Sequence, residues 1–141
     1  MTNWNQITPH IYIGNIFSVI DKTLFEEHNI TNVISLVPNG PLKVKYPHVK
    51  IREHFFDDVD TEDIICHSEI LYHEIERIIE ANGKVLVHCN AGKSRSAGIV
   101  IYYLIKKYKK GPKEIYDFVK QQKPDIQPNK GFYKQLMDLP F

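Results

Sequence analysis

Apolar residues alternate through ITPHIYIG (7–14), a pattern that predicts an edge strand ending at Gly14. IFSVIDKTLFEEHNI (16–30) then spaces Ile16, Ile20, Leu24 and Phe25 along one face of a helix. TNVISLV (31–37) is a short β-branched run that stops at Pro38-Asn39-Gly40, as a buried strand and turn would. VKIREHFF (49–56) predicts another strand, and the acidic DDVDTED (57–63) predicts a loop. From there Ile64, Leu71, Ile75 and Ile78 keep a helical period as far as Gly83, in a long helix that Asp60 or Thr61 can cap. KVLVH (84–88) is apolar and too short for a helix, so it reads as a central parallel strand. SRSAGIVIYYLIKKYKK (94–110) follows as a helix, apolar at Ile99, Val100, Tyr103 and Leu104. Gly111-Pro112 ends it and opens another helix, PKEIYDFVKQQ (112–122), with Pro112 suited to the first turn. PNKGFYKQLMDL (128–139) gives a last short helix. The order predicts an α/β fold with a central, mainly parallel or mixed sheet of about five strands flanked by helices.

The chain has 141 residues, and no repeat, linker or low-complexity tract interrupts it, so residues 1–141 are expected to form a single domain. A 43% hydrophobic and 25% charged composition excludes a disordered or fibrous protein. No apolar run approaches the roughly 20 residues of a membrane span. MTNWNQITPH lacks the charged and apolar regions of a secretory signal, and Cys66 and Cys89 are too few for a disulfide framework. A reducing compartment is therefore expected, the cytoplasm first and the nucleus second.

Net charge is only +1, but residues 1–92 carry 7 Lys/Arg against 13 Asp/Glu, and residues 93–141 carry 11 against 4. A basic half suits phosphorylated partners, nucleic acid or anionic lipid, or is simply a solvated helical face. Only three of the 18 cationic residues are arginines, Arg52, Arg77 and Arg95, so Arg95 calls for a specific reason.

That reason lies at the predicted strand-to-helix junction, His88-Cys89-Asn90-Ala91-Gly92-Lys93-Ser94-Arg95-Ser96. A small loop between a strand and a helix can wrap a phosphate with backbone N–H groups, and the helix N-terminus adds a favourable dipole. Gly92 permits close approach, and Arg95 can grip two phosphate oxygens at once, which Lys cannot. Cys89, over the same N–H groups, is favoured as a thiolate and stands as a nucleophile beneath a bound phosphoryl group. The plain alternative is a buried cysteine at a strand end.

The pattern H-C-x-x-G-x-x-R-S is the signature of the Cys-based protein tyrosine phosphatase superfamily, and the chain resembles its small, atypical dual-specificity phosphatases. The resemblance extends from ITPHIYIGNIFSV through HNITNVISLV and VLVHCNAGKSRSAGIVIYYLI to QPNKGFYKQL. It implies a phosphatase-like fold with the phosphate loop between a central strand and a helix. It implies a metal-independent phosphomonoester hydrolase without cofactors, acting through a cysteinyl-phosphate on phosphotyrosine and phosphoserine or phosphothreonine in proteins. Residues 90–95 would bind the substrate phosphate. An aspartate about 31 or 32 residues before the cysteine would protonate the leaving oxygen and then activate water. Here that distance lands on Asp58, with Asp57 as the alternative and Asp60 a distant third.

Ser96 could hydrogen-bond the departing thiolate, or be only a first-turn residue. His88 is expected to position the loop or merely to pack, and no His/Cys pairing predicts a metal site. Cys66 is expected to be a buried structural cysteine, although a reversible disulfide with Cys89 is conceivable. Two other functions stay open. Lys93 and the basic half would suit lipid headgroups or RNA 5′ ends, and a non-catalytic phosphate-binding module would need no thiol. The partner expected is a phosphorylated protein, with no specific nucleic acid; oligomeric state is not legible.

Overall fold

A computed structural model of the chain describes residues 2–38 and 46–141. Five strands form one mixed sheet: β1 (Trp4–Thr8), β2 (Ile11–Gly14), β3 (Asn32–Ser35), β4 (Lys50–Glu53) and β5 (Val85–His88). Their spatial order is β1-β2-β5-β3-β4, with β1 antiparallel to β2 and all other pairs parallel. The helices are α1 (Lys22–Glu26), α2 (Ile64–Glu80), α3 (Arg95–Tyr108), α4 (Pro112–Gln122) and α5 (Lys130–Met137), and a 3₁₀ turn covers Ile16–Ile20.

The central strands β2, β5 and β3 are buried on both faces, which is why they read as short apolar runs, while the edge strands β1 and β4 are more exposed. Ile11, Ile13, Val85, Val87 and Ile34 face the core built with α2, α3, α4 and α5. The alternate positions Tyr12, Leu86 and Val33 face a second cluster with Val19, Leu24, Phe25 and Ile30. Helix α3 is buried from Ser96 to Ile105, so the segment carrying Arg95 is fixed along most of its length.

Sequence expectation and structure part at five places. The strand expected over 7–14 is a hairpin: β1 ends at Thr8, the chain turns at Pro9-His10, and β2 is an interior strand rather than an edge. Thr8 Oγ1 accepts the N–H of His10 and of Ile11, which closes that turn. The helix expected over 16–30 is broken at Asp21, whose side chain accepts the Leu24 N–H and caps α1. Helix α2 is capped by Asp63, which accepts from Cys66 N, and not by Asp60 or Thr61. Helix α3 ends before Gly111, at Lys109, which takes the left-handed conformation (φ 51°), while Gly111 precedes Pro112 as the N-cap of α4. The strand expected over 49–56 is confined to Lys50–Glu53. Asn39 and Gly40 of the expected turn lie outside the described residues.

Candidate active site

Strand β5 delivers Cys89 to the carboxyl end of the central strand, where α/β sheets bind ligands. Cys89 is 2% exposed, and its N–H donates to the Gly14 carbonyl at 3.3 Å. The loop from 90 to 94 folds back against the end of β2: Ile16 N–H donates to the Asn90 carbonyl at 3.0 Å. Gly92 has φ +72°, and a Cβ there would stand 2.9 Å from the Gly14 carbonyl carbon. Only glycine meets both demands without strain. Asn90, Ala91 and Lys93 are exposed around this turn, and Lys93 makes no ion pair among the described residues.

Ser96, in the first turn of α3, brings Oγ within 3.2 Å of Cys89 Sγ, both atoms being buried. The hydroxyl thus lies within hydrogen-bond reach of the sulfur from the first turn of α3. Behind the cysteine, His88 is fully buried with Nε2 2.7 Å from Ser35 Oγ, and burial lowers its pKa to about 4. A neutral imidazole held this way ties β5 to β3 directly beneath the loop.

Arg95 opens α3 and donates from Nη1 to the Phe56 carbonyl at 3.1 Å, while its buried Nε–H has no partner among the described residues. A buried guanidinium N–H without an acceptor is costly unless something supplies one. Arg95 borders a cleft of about 430 Å³ with Leu36, Pro38, Phe55, Phe56, Asp57 and Glu62. A polar cleft of similar volume lies at the opposite end of the sheet, lined by Lys50, Glu74, Arg77 and Asn82, far along the strands from Cys89.

The two candidate acids are separated by geometry. Asp57 lines the Arg95 cleft. Asp58 is tied to the loop itself: its Oδ1 accepts from Ser94 Oγ at 2.6 Å and from Asn129 Nδ2 at 2.9 Å. Ser94 Oγ in turn accepts the Asn129 N–H at 2.9 Å. Asp60 sits apart, its carbonyl pressed against Gly131, where a Cβ would come within 2.0 Å, and its carboxylate 3.8 Å from Lys130 Nζ. Asn129 was not legible as a site residue. Its only sequence signal is as the N-cap of α5, a role it also fills by accepting from Phe132 N. Cys66, expected to be buried, is instead exposed on α2, and like Cys89 it is a free thiol.

Residues 11–140 match the family model described as dual specificity phosphatase, catalytic domain. A probable dual specificity protein phosphatase of Dictyostelium discoideum is 33% identical over 133 residues, covering 94% of this chain and 61% of that protein. Dual specificity protein phosphatase 1 of Arabidopsis thaliana is 35% identical over 141 residues, covering 94% of this chain and 67% of that protein. The human tyrosine phosphatase-like serine/threonine/tyrosine-interacting protein superposes with a TM-score of 0.87 at 28% identity, over 96% of this chain and 93% of that one. The chain thus spans about three-fifths of the length of the Dictyostelium relative.

Proposed function

The chain belongs to the dual specificity phosphatase family, and from that premise we propose that it dephosphorylates phosphotyrosine and phosphoserine or phosphothreonine in proteins, through a cysteinyl-phosphate. Cys89 Sγ attacks phosphorus, the S–P bond forms, and the bond to the leaving oxygen breaks as Asp58 gives that oxygen its proton. In the second step water attacks phosphorus, Asp58 takes the water proton, and the S–P bond breaks. The Ser96 hydroxyl, 3.2 Å from the sulfur, donates to the departing thiolate. Arg95 holds the equatorial oxygens, and its orphaned Nε–H becomes one of the bonds to phosphate.

One observation carries this reading: the Asp58 carboxylate, on a different loop, is hydrogen-bonded through Ser94 to the same loop that begins with Cys89. A module that only binds phosphate needs neither the thiol nor an acid beside it. A shared fold does not decide the matter, because one of the similar structures is itself named phosphatase-like, so the residue set carries the argument.

The test is hydrolysis of phosphopeptides, phosphoinositides and 5′-phosphorylated RNA in the presence of a chelator. Phosphopeptides are expected to turn over fastest. Cys89→Ser should abolish turnover and keep phosphopeptide binding, because the N–H groups and Arg95 remain. Asp58→Asn should lower kcat/KM for phenyl phosphate by roughly 10²–10⁴-fold, the scale of a lost general acid, and should cost less with 4-nitrophenyl phosphate. A larger effect of Asp57→Asn would reassign the acid. Substantial turnover by Cys89→Ser would overturn the covalent mechanism, and preference for the lipid or RNA substrate would overturn the substrate class.

A further inference from the structure

The segment between β4 and α2 carries both candidate acids yet has no regular structure from His54 to Val59. Something other than a backbone ladder must fix it, because a general acid misplaced by 1 Å loses much of its value. From the loop side, Asp58 is held by Ser94 and Asn129, and the Phe56 carbonyl by Arg95. From the opposite side, a single residue of α2 touches the segment at three points.

That residue is His67. Its Nδ1 lies 2.9 Å from His54 Nε2, and its Nε2 lies 2.6 Å from Glu62 Oε1. Its ring stacks on Phe56, centroids 4.3 Å apart and planes 10° from parallel. His54, Phe56 and Glu62 are the start, middle and end of the segment. The outer contacts are themselves anchored. His54 N–H donates to the Ser35 carbonyl at 2.9 Å, and the Glu62 carbonyl accepts from Gln135 Nε2 at 3.0 Å.

The hydrogen-bond count closes without a metal or a spare proton. Glu62 is acceptor-only when ionised, so His67 Nε2 carries hydrogen and donates to it. Nδ1 then accepts from His54 Nε2–H when His67 is neutral, or donates to His54 Nε2 when His67 is charged. The second arrangement requires His54 to be neutral and the first permits it, and burial first, then His67 and Arg52, hold its pKa below the ordinary value. Phe56 is 8% exposed, so its stack with His67 is removed from water and sits one residue before Asp57 and two before Asp58.

We propose that His67 is a positioning residue for the general acid, clamping residues 54–62 from beneath so that Asp58 stays against the Cys89 loop. The proposal rests on Asp58 acting as the acid. It has a signature that a merely structural role lacks: only substrates that need protonation of the leaving group should notice the loss. The experiment measures kcat/KM, which reports the first chemical step, on phenyl phosphate and on 4-nitrophenyl phosphate. His67→Ala should lower the phenyl phosphate value roughly 10- to 100-fold and the 4-nitrophenyl phosphate value several-fold less. His67→Phe, which restores the ring against Phe56 without the hydrogen bonds, should recover part of the loss, and it tests the proposal if the alanine variant does not fold. In an Asp58→Asn background His67→Ala should add almost nothing on phenyl phosphate, because the group it positions is gone.

Equal losses on both substrates, or full additivity with Asp58→Asn, would overturn the proposal and leave His67 a packing residue. The underlying reading fails separately. If Asp58→Asn itself loses both substrates equally, Asp58 is not the acid, and the same cycle with Asp57→Asn reads the proposal. Absence of a leaving-group effect in every variant overturns both.

Discussion

Acidification should destabilise this chain steeply between pH 6.5 and pH 4, with His88 as the principal cause. Its imidazole is wholly buried under the cysteine loop, 2.7 Å from Ser35 Oγ. Burial lowers its pKa from 6.5 to about 4, against a smaller opposing contribution from the Cys89 backbone. In the unfolded chain the ring regains its ordinary value, so between those two pH values the unfolded state binds a proton that the folded state refuses. Stability therefore rises with pH through this window and is lost on acidification. At about 1.4 kcal/mol per pH unit, the gap is worth about 3 kcal/mol, a large part of a total of roughly 5–15 kcal/mol.

The assay is urea unfolding from pH 7.5 to pH 4.5 of the wild type and of His88→Gln, whose amide nitrogen can reach Ser35 without titrating. Between those pH values the wild type should lose about 2–3 kcal/mol more than the variant. The comparison isolates the right group. Glu76, held low first by the Tyr103 hydroxyl and also by Lys107, is common to the wild type and the variant, so its contribution drops out of the difference. His54, which is also lowered, is present in both proteins and cancels. Parallel curves for the two proteins would refute the reasoning, because they would mean that His88 accepts a proton in the folded state as readily as in the unfolded one.

Gly92→Ala should lower Tm and abolish most turnover: the left-handed backbone alone costs about 1–2 kcal/mol, and the new Cβ meets the Gly14 backbone at 2.9 Å; an unchanged Tm in thermal unfolding would contradict it. Arg95→Lys should be severely impaired in steady-state kinetics although the charge is kept, since the fork that bonds Phe56 and phosphate together is lost; near-normal kinetics would remove Arg95 from the site. Lys93→Ala should change kcat/KM for a phosphotyrosine peptide by less than about 1 kcal/mol of transition-state energy, because the side chain is exposed and makes no ion pair among the described residues; a large loss confined to polyphosphorylated substrates would shift the substrate class to lipid or RNA.

The parts of this fold that were legible in sequence are those where one local rule acts alone. Val85, Leu86 and Val87 are all fully buried in the central strand, so an unbroken β-branched and apolar run of three, too short for a helix, could mean little else. Ile64, Leu71, Ile75 and Ile78 keep a 3.6 period because α2 presents a single face to the core. The misreadings arise where two elements share one pattern. Ile7, Ile11 and Ile13 are buried at odd positions, so alternation runs straight through the Pro9-His10 turn and hides a hairpin whose register shifts between Gln6 and Thr8. Ile16 and Ile20 have helical spacing with Leu24, yet the buried residues of the 3₁₀ turn are Ser18 and Val19. A tighter helix turns a different face inward at the same spacing.

That Cys89 and Arg95 share one loop was legible in sequence, and Asp58 was named by its distance from Cys89 alone. What could not be read is the bond that joins them, because it violates the local rule for its residue. A serine at a helix N-cap ordinarily gives its oxygen to an N–H of its own first turn, a contact worth about 1 kcal/mol. Ser94 makes no such bond. Its hydroxyl instead donates to Asp58 and accepts from Asn129, joining segments 36 and 35 residues away. Helix α3 therefore begins without a side-chain cap, and its first N–H groups lack the acceptor that a capping serine would have supplied. At the N-terminus of a buried 14-residue helix, beside Cys89 and the orphaned Arg95 Nε–H, those groups favour an anion. The same departure from capping thus does two things at once: it leaves the first N–H groups of α3 without a side-chain cap, and it fastens the Asp58 carboxylate to the Cys89 loop.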